Sequence, residues 1–146
     1  MILLNVKGRL TPDNDKTNIY HTFTVPDGLK CIKLSFSYSP KTLSSRSKAI
    51  KAIKECFEKY NEPLVGRPNE YLPVNNLLTI SVDENSNYIG AAHRQDSTQE
   101  HIISEKLSSP GFIKTEIKEG LWCVCVNVHC VCCDVDYSLV AQGVEL

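Results

Sequence analysis

Between Gly120 and Ala141 the chain alternates apolar and polar side chains with a period of two, which narrows the folds open to it. Trp122, Val124, Val126 and Val128 alternate with Cys123, Cys125 and Asn127. In a strand, successive side chains point to opposite faces, so all four large apolar groups share one side and that side must be buried. Val131, Cys133, Val135, Tyr137, Leu139 and Ala141 continue the pattern with its phase flipped. A tight hairpin around His129 and Cys130 accounts for the flip. It predicts Val126 opposite Cys133, Val124 opposite Val135 and Trp122 opposite Tyr137. The same register sets Cys123 opposite Asp136 and Cys125 opposite Asp134, so no two cysteines are direct partners.

The rest of the chain reads in the same way. Strands are predicted over residues 2–9, 20–25, 31–38, 76–82 and 88–94, with shorter pieces at 101–104 and 112–117. In the third, Ile32, Leu34, Phe36 and Tyr38 face in, while Lys33, Ser35 and Ser37 face out. Pro26-Asp27-Gly28 and the run from Asp83 to Asn87 are turns, and residues 97–100 are a loop. One segment breaks the pattern. From Ser44 to Tyr60, apolar Ala49, Ile50, Ile53, Cys56, Phe57 and Tyr60 recur at helical spacing, which predicts one helix over about 44–60 capped by Ser44 or Ser45. The fold class predicted is all-β, an antiparallel, jelly-roll-like β-sandwich with one inserted helix.

Composition bounds the function. The 146 residues are 42% hydrophobic and 23% charged with no composition break, so a single domain over 1–146 is expected. A net charge of −1 offers no footprint for nucleic acid or an anionic membrane. No apolar run approaches the ~18 residues of a membrane span. The N-terminus reads as a short strand with no secretory leader. Seven cysteines is an odd number, which with no export signal predicts a cytoplasmic protein with reduced thiols.

Several segments, taken in order, resemble one known module. They are Phe23 to Gly28, Leu34 to Ser39, Asn76 to Asp83, Gly90 to Arg94, Ser109 to Phe112 and Gly120 to Trp122. The module is the β-sandwich that precedes the catalytic domain in a group of PHP-type (polymerase and histidinol phosphatase) metal-dependent phosphoesterases, and the resemblance spans roughly residues 4–142. Catalysis in that family uses clustered histidines and carboxylates opening with a His-x-His element. Here His21, His93, His101 and His129 are scattered, with no His-x-His. The resemblance therefore implies the accessory sandwich without the enzyme: a non-catalytic interaction module whose partner is a PHP-type enzyme or another protein.

Three constellations compete with that reading. Cys123, Cys125, His129, Cys130, Cys132 and Cys133 carry zinc-type ligands, although Cys-x-Cys on a strand is not the usual Cys-x2-Cys knuckle. The alternative is that these cysteines pack as small hydrophobes, against the apolar stripe of the helix. His93 and Arg94 at a strand end, with Glu100 and His101 close in sequence, suit an anion. A carbohydrate platform is the third: Trp122 shares its face with Val124 and Val126 and reads as core, while Tyr20, Tyr60, Tyr71 and Tyr88 are better placed near loops. No nucleophile and base stand at a catalytic spacing. The expectation is a module without catalytic residues or cofactor. A ligand-binding module for carbohydrate or an anionic metabolite is the alternative, and a thiolate metal-binding protein the third possibility.

Overall fold

Each strongly alternating segment forms a strand in the computed structural model, which describes residues 1–145. In chain order these are β1 (Ile2–Leu10), β2 (Thr17–Val25), β3 (Cys31–Ser39), α1 (Arg46–Lys59), β4 (Leu77–Glu84), β5 (Asn87–Ala92), β6 (Thr98–Ser104), β7 (Gly120–Cys130) and β8 (Val135–Val144). Thr98 to Glu100, predicted as loop, belong to β6, because β3 offers them a ladder partner from Ser35 to Ser37. The 112–117 piece forms no strand. It contributes one bridge, Phe112 to Gly90. Helix α1 is capped by Ser45, whose hydroxyl accepts from the Lys48 amide at 3.4 Å.

The strands pair as one long hairpin folded upon itself: β1 with β8, β2 with β7, β3 with β6 and β4 with β5, all antiparallel. Further ladders join β3 to β8 and β4 to β7. The result is two four-stranded sheets, β1-β8-β3-β6 and β2-β7-β4-β5. Eight strands wrapped in this nested order are a jelly roll.

This topology corrects the predicted hairpin. β7 and β8 are not ladder neighbours; they lie in different sheets. Trp122 stands between Phe23 and Glu84, while Tyr137 stands between Gly8 and Tyr38. Cys125 pairs with Tyr20 and Ser81, and Cys123 with Thr22 and Asp83, so neither faces Asp134 or Asp136. The reason is general. Alternation says which side of a strand is buried, and the two apolar faces are satisfied equally by sharing one sheet or by meeting across the core. Here residues 131–134 cross between the sheets. The Val131 amide donates to Asp15 Oδ1 at 2.9 Å, and the Cys132 amide donates to the buried Asn76 Oδ1 at 2.8 Å. Side chains thus take the amides that a hairpin would have paired.

The core lies between the sheets and holds Trp122, Val124, Val126, Phe36, Ile80 and Leu139 among its fully buried members. The Trp122 indole N–H donates to the Lys118 carbonyl at 3.0 Å. Residues 109–113 run along the open edge of β5, with Ala91 donating to Gly111 and Ile113 donating to Ile89. Gly111 has φ +95°, and a side chain there would strike the Ala91 carbonyl.

Candidate functional site

With one face of each sheet buried, the chemistry available is on the outer faces and at the ends. On the β2-β7-β4-β5 sheet, the outward positions come into register as rows. Tyr20, Cys125, Ser81 and Ala91 form one row; Thr22, Cys123, Asp83 and Tyr88 form the next. The middle of this face is a floor of small side chains. Cys125 and Ala91 are buried within it, while Tyr20 and Tyr88 are 63% and 64% exposed on the two edge strands. Three strand spacings of about 4.8 Å put these edges roughly 14 Å apart. The face is lined by small side chains at its centre and is aromatic at both sides.

A β-bulge breaks the ladder at one end of this face. Leu78 pairs with Val128 but the adjacent Leu77 pairs with Cys130, so His129 is the extra residue on β7. Bulges re-aim side chains. His129 Nε2 comes to 2.8 Å from Thr79 Oγ1, which also accepts from Asn127 Nδ2 at 3.3 Å, and the Cys125 thiol donates to Asn127 Oδ1 at 3.3 Å. His93, just beyond β5, lies across Thr79 with its ring centre 6.4 Å from that of His129. Burial, then His93 and Lys16, depress the proton affinity of His129. Arg94 turns away and pairs with Asp96 at 2.8 Å. His101 is buried, with its Nε2 at 2.9 Å from Gln99 Oε1. The structure thus brings His93 to His129, while Arg94, paired with Asp96, lies near enough to His101 to lower its proton affinity.

The six-residue thiol and imidazole set separates. Cys123 and Cys125 sit on the sheet face, whereas Cys130 and Cys132 line a cleft of about 490 Å³ between α1 and the end of the sandwich. Helix α1 therefore packs near Cys130 and Cys132 and not over Cys123 and Cys125. Among the described residues, no three His, Cys, Asp or Glu side chains converge as a metal site. Burial pushes up the thiols of Cys123, Cys125 and Cys130, and burial with the neighbouring Cys133 and Cys130 pushes Cys132 up to about 12. These groups stay protonated near neutral pH, the weak state for both nucleophilic attack and metal binding. The cleft also holds Phe57, Tyr60 and Tyr71. Of the three carboxylates that line it, Asp13, Asp15 and Glu55, Asp15 is already engaged: its Oδ2 accepts from the Tyr60 hydroxyl at 2.6 Å while Oδ1 takes the Val131 amide. The Asp15 bond pushes the Tyr60 phenol up to about 12.

Among the four candidate tyrosines, two pairs emerge. Tyr20 and Tyr88 share the sheet face, and Tyr60 and Tyr71 share the cleft. Trp122 is core. Thr79 carries no sequence signal of this contact, and Asn127 shows only as an outward position, since nothing local marks a threonine that a bulged histidine will reach. No helix of the described residues is long and apolar enough to cross a membrane.

Fold and face together define a jelly-roll β-sandwich with one aromatic-flanked polar sheet surface. No protein-family model matches the chain, and no curated protein matches it, so these comparisons do not tie it to the PHP-type phosphoesterases.

Proposed function

We propose that the protein is a non-catalytic binding module that takes carbohydrate on the outer face of the β2-β7-β4-β5 sheet. One observation carries this reading: two tyrosines, each more than 60% exposed, flank a floor of small side chains, among them Thr22, Ser81 and Asp83, on a single sheet face. A sugar ring has an apolar C–H face that stacks on an aromatic ring and an equatorial rim of hydroxyls that needs hydrogen bonds. Tyr20 and Tyr88 offer the first, and Asn18, Thr22, Ser81 and Asp83 offer the second. The separation of the tyrosines suits a short oligosaccharide lying across the strands. Hydrolysis has little support, because the two hydroxyls beside an imidazole among the described residues, those of Thr79 and Tyr137, belong to buried residues.

The resemblance to a sandwich attached to PHP-type phosphoesterases supports an accessory role, in which the module delivers or holds material for a separate enzyme. We place it in the cytoplasm, where seven unpaired thiols persist. Affinity electrophoresis in gels containing soluble glucans, xylans or mannans tests the proposal. Retardation by at least one glycan is expected, with Tyr20→Ala and Tyr88→Ala each weakening it about two- to twelvefold, the value of an aromatic contact. Migration unaffected by every glycan, or retardation indifferent to both substitutions, would sink it.

A further inference from the structure

We propose that a second copy of this chain docks on the free edge of β2, strand against strand about a two-fold axis, so that two sheets become one. The pairing runs through the β2 backbone and stands apart from the carbohydrate reading.

The two flanks of the sandwich are finished differently. On the flank of β5 and β6 a loop covers the edges. Residues 109–113 bond to β5, and Ile102 of β6 donates its amide to Ser109 Oγ at 2.9 Å and accepts from the Ser109 amide at 2.8 Å. On the other flank, no backbone group among the described residues pairs with the outer side of β2, whose one ladder partner is β7. Edge strands are ordinarily blunted by charge, proline, a bulge or a covering loop. β1 carries Lys7 and Arg9 and a register shift between Ile2 and Leu4. β2 has none of these devices. It holds no proline, glycine, lysine, arginine or carboxylate, and it keeps register with β7 from Thr17 to Val25. Its threonines, Ile19, Tyr20, Phe23 and Val25 favour extended backbone.

The strand is also complementary to itself. A two-fold axis at His21 sets Asn18 opposite Thr24, Ile19 opposite Phe23 and Tyr20 opposite Thr22, each pair occurring twice. Lys16 precedes the strand and Asp27 follows it, so antiparallel pairing brings opposite charges toward each other at both ends. Apolar surface is removed by the same contact. Leu3, Leu4, Val6 and Ile19, the partly buried apolar side chains packed against the core, all lie on β1 and β2. A strand of this length runs about 30 Å, and two sheets about 10 Å apart with their side chains make a flank roughly 20 Å high. Each copy then covers about 600 Å², roughly 1,200 Å² in all, the lower bound for a specific pair and the size of weak, reversible ones.

Sedimentation equilibrium of the reduced protein, from about 5 µM to about 1 mM, tests the pairing. A reversible dimer with Kd of about 10–300 µM is expected. Asn18 and Thr24 are exposed, so the fold tolerates change at both. Asn18→Lys with Thr24→Lys sets lysine against lysine at two places and should weaken the dimer about fivefold or more. Asn18→Asp with Thr24→Lys sets acid against lysine and should restore the wild-type affinity or exceed it. Monomer at every concentration would overturn the proposal, as would a dimer whose affinity is the same in both double variants. Binding of a synthetic peptide of residues 17–25 to a chain that itself stays monomeric would give the edge to a foreign strand and overturn it too.

Discussion

Trp122 is where the core is most exposed to perturbation. It is the only tryptophan, it is fully buried between the sheets, and its indole N–H is bonded to the Lys118 carbonyl. A tryptophan buries up to about 250 Å², worth roughly 6 kcal/mol at about 25 cal/mol per Å². Alanine keeps part of that burial and the walls relax inward, while a net hydrogen bond of about 1 kcal/mol is lost. Trp122→Ala is therefore expected to cost about 4–5 kcal/mol, much of the ~5–15 kcal/mol that holds a domain together. Trp122→Phe keeps a ring but no donor and is expected to cost about 1–2 kcal/mol. Urea unfolding followed by far-ultraviolet circular dichroism measures both, since the substitutions remove the fluorophore. Wild-type fluorescence supplies a second check and should be blue-shifted. A loss below about 2 kcal/mol for alanine would show that Trp122 does not fill the space between the sheets.

Two further perturbations probe the sandwich. Gln99 gives both amide protons to the Asp96 and Arg94 carbonyls, so His101 Nε2 carries the proton it shares with Gln99 Oε1, and the buried Nδ1 has no partner. Burial and then Arg94 lower its proton affinity, so the unfolded chain binds the proton first as pH falls. Stability is then full above about pH 6.5 and declines below it, and the urea midpoint should fall less between about pH 7 and about pH 5 in His101→Leu than in the wild type. Equal declines would exclude His101 as a source. Asp15→Ala leaves the buried Val131 amide without its acceptor, an expected loss of about 1–3 kcal/mol in thermal or urea unfolding. In the same variant the Tyr60 phenol should ionise closer to its ordinary range in an ultraviolet titration; an unchanged titration would mean that Asp15 is not what holds it.

Alternation made the strands readable: β3, β7 and β8 follow directly from a period of two, and α1 from a period near four, because these repeats record which side of an element meets water. The two exposed tyrosines of the sheet face and both histidines are visible as residues, but their grouping is not. Tyr20 and Tyr88 are 68 positions apart and meet on one face only because β2 and β5 border the same sheet. Likewise, β7 and β8 are consecutive and equally patterned, yet belong to opposite sheets. Burial of a face is a local property written along each strand. The choice of neighbour is settled by long-range contacts: Asp15 and Asn76 holding the crossover amides, and a bulge that turns His129 toward a threonine fifty residues away.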